Sequence, residues 1–102
     1  MAISDVNRKG SYYQVLDQNG KKIKEVHESS IGQLLDFSGD FIVGRKGSYY
    51  ATYDENFKKI KETHESSIGE FRNATGSTMT FQKGSYIGTY DRDFKKISER
   101  HV

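Results

Sequence analysis

The densest run of strand-forming residues is Ser48-Tyr49-Tyr50-Ala51-Thr52-Tyr53, aromatic and β-branched nearly throughout, and it predicts a β-strand. Side chains alternate across a strand, so Tyr49, Ala51 and Tyr53 share one face and Tyr50 and Thr52 the other. Tyr12, Gln14 and Leu16, and again Tyr86, Gly88 and Tyr90, fall on the first of these faces. Asp54-Glu55-Asn56 follows as a turn, matched by Asp17-Gln18-Asn19-Gly20 and Asp91-Arg92-Asp93, because Asn and Asp tolerate the left-handed backbone that such turns need. A second strand with a mostly polar face comes next, Lys59 to His64, on which Ile60 is expected to share a face with Glu62 and His64 and to point to the core. A third precedes the first, at Phe41-Ile42-Val43 or Thr78-Met79-Thr80-Phe81, and joins it through Lys-Gly, where glycine supplies a positive φ. Each such unit predicts a three-stranded antiparallel meander.

The pattern recurs every 37 residues. Arg8-Lys9-Gly10-Ser11-Tyr12-Tyr13 returns as Arg45 to Tyr50 and, altered, as Gln82 to Ile87. Aligning 8–44 with 45–81 gives 20 identities in 37 positions, and 45–65 with 82–102 gives 13 in 21, which chance does not produce. The expected organisation is one domain over 1–102, with repeats at about 3–29, 40–66 and 77–102 and connectors at 30–39 and 67–76. Ser30-Ile31-Gly32-Gln33 and Ser67-Ile68-Gly69-Glu70 match a helix capping box, yet glycine sits in the first turn and the segment is short. A fourth strand is therefore the first expectation for each connector and a short helix the second. The resulting fold class is all-β or mainly β: about ten antiparallel strands in meander order with pseudo-threefold character. A barrel-like or prism-like arrangement, a propeller completed by several chains, or an open sheet covered by dimerisation would each accommodate it.

Composition adds a constraint on the core. Val, Ile, Leu and Phe number only 22 of 102 residues, so seven Tyr must supply much of the buried area. So thin a core leads us to expect self-association into a homo-oligomer. The net charge of +2 is too even to indicate nucleic acid or an anionic membrane by itself. Without cysteine, disulfides and thiolate metal sites are excluded. No stretch approaches the ~20 apolar residues of a membrane span, and Met1 to Val6 contains no apolar leader core, so the expected location is the cytoplasm.

Three constellations carry candidate chemistry. Tyr12, Tyr49 and Tyr86, with Asp17, Asp54 and Asp91, could hold carbohydrate by ring stacking and hydroxyl hydrogen bonds; the alternative is that the Tyr rings form the core and the Asp residues cap turns. His27, His64 and His101 would make a three-histidine metal site if the units surround an axis, and otherwise are solvated strand-end residues. Lys21, Lys22, Lys24, Lys58, Lys59, Lys61, Lys95 and Lys96, with Arg8, Lys9, Arg45, Lys46 and Lys83, could line a surface for single-stranded nucleic acid, or simply blunt strand edges. No nucleophile elbow, phosphate loop or zinc-protease motif is present. The expectation is a non-enzymatic binding or assembly module, needing no cofactor, with carbohydrate as the first ligand class. Nucleic acid is the second reading and an enzyme with an unrecognised site the third.

Overall fold

The structure, a computed structural model, describes residues 3–102. These form eleven strands and two one-turn helices. The first sheet holds β1 (Asp5–Lys9), β2 (Tyr12–Leu16) and β3 (Lys22–His27). After α1 (Glu28–Ile31), the second holds β4 (Gln33–Phe37), β5 (Ile42–Lys46), β6 (Tyr49–Tyr53) and β7 (Lys59–His64). After α2 (Glu65–Ile68), the third holds β8 (Glu70–Thr75), β9 (Thr78–Lys83), β10 (Tyr86–Asp91) and β11 (Lys96–His101). Every strand pairs antiparallel with its neighbours in chain order. The mainly β fold expected from the sequence is therefore present. The sheets remain open, which corrects the barrel-like arrangement. Each connector turns out to hold both elements weighed for it, a single helical turn and then a strand.

Local chemistry explains the turns. Gly10, Gly47 and Gly84 have φ of 60°, 63° and 61° at the first position of two-residue hairpin loops, the place where such loops favour glycine. The longer turns are held by Asp17, Asp54 and Asp91. Each Oδ1 accepts backbone N–H groups two and four residues on, at 2.8–3.0 Å. The residue three past each Asp is left-handed: Gly20 in the first turn, but Phe57 (φ 58°) and Phe94 (φ 61°) in the others. A side chain costs roughly 1–2 kcal/mol in that conformation. Phe57 and Phe94 accept it because their rings reach the two cores.

Those cores lie between stacked sheets. Tyr13 and Val15 of the first sheet meet Ile31, Ile42, Ala51 and Tyr53 in one cluster. Phe41, Val43 and Tyr50, from the opposite face of the second sheet, meet Ile68, Met79 and Phe81 in the other. The middle sheet is thus buried on both faces, and three layers share two cores. Polar ties cross the layers too. The Leu34 N–H donates to the Tyr13 hydroxyl at 3.3 Å, the Phe71 N–H to Tyr50 at 3.2 Å, and Thr52 Oγ1 donates to the Arg92 carbonyl at 2.6 Å.

The outer faces read differently from the inner ones. Where the middle sheet places Ile42, Gly44 and Ala51 against the first core, the first sheet turns Asp5, Asn7 and Gln14 outward. At the other end Thr78, Thr80 and Thr89 stand where the middle sheet has Phe41, Val43 and Thr52.

One facing expectation is overturned. A bulge between Thr52 and Tyr53 shifts the register of β7, so Ile60 packs on the second core while Glu62 and His64 pair with Ala51 and Tyr49 on the opposite face. The same shift buries part of Ile23 in the first core. In β11 it turns Ile97 to the outside, where it is 59% exposed.

Candidate functional site

The two-residue glycine turns place a tyrosine at the start of β2, β6 and β10, opposite the histidine that ends β3, β7 or β11. The rings meet edge to face: Tyr12–His27 at 5.2 Å, Tyr49–His64 at 5.0 Å and Tyr86–His101 at 5.1 Å. Tyr12, Tyr49 and Tyr86 are 44%, 47% and 47% exposed, so the reading of these rings as core is corrected. Tyr13 and Tyr50, one residue on, are the ones buried.

The rest of the sequence-derived sets separates. Asp17, Asp54 and Asp91 cap turns at the far ends of the strands that begin with the tyrosines, about 17 Å away at ~3.3 Å per residue. His27, His64 and His101 close three different sheets, and among the described residues no three His, Asp or Glu side chains gather to hold a metal. Two of them serve the backbone instead. His27 Nδ1 accepts the Ser29 N–H and His64 Nδ1 the Ser66 N–H, both at 3.1 Å, so histidine, rather than Ser30 or Ser67, caps each one-turn helix. Replacing His64 by alanine is expected to cost about 1 kcal/mol in urea denaturation, and replacement by asparagine to restore most of it, as cap chemistry requires.

Five of the thirteen residues in the basic series pair with carboxylates. Lys59 and Lys96 pair with Glu62 and Glu99 at 2.6 Å, Lys22 reaches Glu25 at 3.4 Å, and Arg8 and Arg45 pair with Glu28 and Glu65. Each of these arginines also lies 5.5 Å from a tyrosine ring centroid, Arg8 over Tyr13 and Arg45 over Tyr50. Shallow hollows of about 390 and 310 Å³ adjoin these two clusters, but their guanidinium groups already have carboxylate partners.

A better-formed cleft, of about 310 Å³, opens between α2 and the third sheet. Ile68 and Phe81 form its apolar part, Tyr86 and Tyr90 its aromatic walls, and Lys83, Lys96 and Glu99 its charged rim. Gly88 explains the space. A Cβ there would come within 2.8 Å of the Tyr90 ring, so its absence lets that ring lie across the backbone of β10. The bulge between Thr89 and Tyr90 brings Lys96 onto the same face as Glu99. The Glu99 carboxylate, and behind it Tyr90, hold the Lys96 ammonium above the ordinary lysine range. An aromatic wall beside a fixed cation and carboxylate can take an uncharged, hydroxyl-rich ligand by stacking and hydrogen bonding.

Of this cleft, the sequence points to Tyr86 as a stacking ring and to Lys83 and Lys96 within the basic series. It does not mark Tyr90 and Glu99 as site residues, although alternation places Tyr90 on the face of Tyr86. The available signal was Gly88, where the matching positions carry Gln14 and Ala51. No protein-family model, curated protein or solved structure matches this chain.

Proposed function

We propose that the protein is a non-enzymatic binding module that takes carbohydrate in the Tyr86 cleft. The observation that supports this reading is the joint placement of an exposed Tyr86 ring, Tyr90 and the Lys96–Glu99 pair around one cleft. His101 meets Tyr86 edge to face and orients the ring without covering both of its faces. A sugar ring stacks its C–H face on such a tyrosine, while Glu99 accepts and Lys96 and Lys83 donate hydrogen bonds to its hydroxyls. Tyr12 and Tyr49 repeat the exposed ring and its histidine on the other two sheets, giving shallower contacts that add avidity toward a polymeric glycan.

The test is a glycan array followed by NMR titration of the best ligand. Shifts are expected at Tyr86, Gly88, Lys96 and Glu99. Tyr86→Ala is expected to weaken binding at least tenfold, about 1.4 kcal/mol, while Tyr12→Ala leaves monosaccharide affinity unchanged. Absence of any binding at millimolar glycan, or equal binding by Tyr86→Ala, would remove the proposal.

A further inference from the structure

One row of side chains is repeated at the same end of all three sheets. In the third sheet Tyr86 stands directly across from Lys83 on one side and from His101 on the other. In the second, Tyr49 stands between Lys46 and His64, and in the first Tyr12 stands between Lys9 and His27. Residues directly opposite in antiparallel strands share a face, so each row presents an ammonium, a phenol ring and an imidazole side by side. The three lysines are exposed, and none of them forms an ion pair among the described residues. The glutamates nearby are taken by other cations: Glu25, Glu62 and Glu99 by Lys22, Lys59 and Lys96, and Glu28 and Glu65 by Arg8 and Arg45. Glu70, at the start of β8, is the one glutamate at this end without an ion pair among the described residues.

The one-turn helices join the rows. The Glu28 N–H, which opens α1, donates to the Ser11 carbonyl at the tip of the first sheet at 2.8 Å. Gly32, just past the end of α1, packs so closely on the second sheet that a Cβ there would come within 3.0 Å of Lys46. α2 runs the same way, from the Ser48 carbonyl to within 2.9 Å of Lys83 by the same measure. Each helix thus sets a Glu-Ser-Ser segment between one cationic row and the next. Stacked sheets lie about 10 Å apart, a distance that an extended chain of sugars covers in roughly two residues. Along the stack, lysine and tyrosine therefore alternate with carboxylate and hydroxyl at the pace of single sugars.

From the repeated rows and their spacing we infer that the ligand is an acidic linear glycan, with an anionic group on every second residue, lying along this end of the stack. The inference rests on the carbohydrate reading of the Tyr86 cleft and adds the charge and period of the ligand. The acidic residues meet Lys9, Lys46 and Lys83, each with its sugar ring on the adjacent tyrosine. The residues between them offer hydroxyls to Glu28, Glu65 and the helix serines. Three weak sites in line supply the avidity that one exposed ring lacks. A single-stranded nucleic acid fits this surface less well. It carries a phosphate at every unit, so its charges fall on Glu28 and Glu65 as well as on the lysines.

The experiment titrates the whole chain, by calorimetry and amide NMR, with two ligands. One is a hexasaccharide bearing a uronate carboxylate on every second residue, and the other is the same hexasaccharide with those carboxyls reduced to alcohols. The acidic form is expected to bind about tenfold more tightly at low salt and to lose that advantage as salt screens the exposed lysines. Amide shifts are expected at Lys9, Lys46 and Lys83 together. The double variant Lys9→Gln, Lys46→Gln, at exposed positions outside both cores, is expected to remove most of the difference between the two glycans. Equal affinity for the two forms would overturn the inference and leave the carbohydrate reading in place. Binding of neither at millimolar concentration would remove both. Tighter binding of a single-stranded oligonucleotide than of the acidic hexasaccharide, at the same salt, would also overturn the inference and assign the rows to nucleic acid.

Discussion

Replacing Phe81 by alanine is expected to lower the free energy of unfolding by about 3–5 kcal/mol, the largest effect of any single truncation in the chain. Phe81 is 1% exposed and stands at the centre of the second core. Its ring meets Tyr50 at 5.0 Å, Phe71 at 5.4 Å, Tyr90 at 5.6 Å and Phe94 at 6.1 Å. Truncation removes the ring's own burial and leaves four aromatic neighbours around a void that strands of two sheets cannot close. A domain of this size has roughly 5–15 kcal/mol in total, so the variant should be marginal. Urea denaturation followed by far-UV circular dichroism checks this, with Ile97→Ala, at an exposed position, expected within about 0.5 kcal/mol of the parent. A loss below 1 kcal/mol for Phe81→Ala would mean that the second core is not packed as described.

Gly69→Ala is expected to cost about 3 kcal/mol or more. Gly69 has φ of 95° where the chain leaves α2 for β8, and a Cβ there would collide with the Gln82 carbonyl and approach Lys83 Cβ at 2.9 Å. Backbone strain of ~1–3 kcal/mol and an overlap of similar size therefore act together. Neither partner can give way easily, since Gln82 and Lys83 are held in β9. Gly47→Ala separates the two causes. Its φ is 63° and nothing lies within 4 Å of the added carbon, so only the conformational cost of roughly 1–2 kcal/mol remains. Equal midpoints for the two variants in urea would show that close approach at Gly69 contributes nothing.

Much of the candidate site was hidden in the sequence for a physical reason. Tyr12 and Tyr13 are adjacent tyrosines, and alternation separates their faces without saying which face is covered. The covered face depends on where the next sheet packs. The Tyr–Asp set proposed for sugar shares a strand but spans its length, so proximity in sequence became separation in space. Tyr86, Tyr90, Lys96 and Glu99 come together only because a bulge re-aims one edge of the third sheet and Gly88 clears the middle.

The sequence by itself determined the strands, their hairpin order and their turns, because these rest on local chemistry: β-branched and aromatic runs, Asp carboxylates accepting nearby N–H groups, and glycine at positive φ. It also carries the polar residues Asp5, Asn7, Gln14, Thr78 and Thr80 that stand on the outward faces of the first and third sheets. The tertiary structure alone decided that the sheets stack open instead of closing, that Ile60 and Glu62 part company at a bulge, and that Phe57 and Phe94 bear left-handed backbone. Each of those outcomes is set by burial against a distant sheet, whose contribution outweighs the local preference and has no local signature.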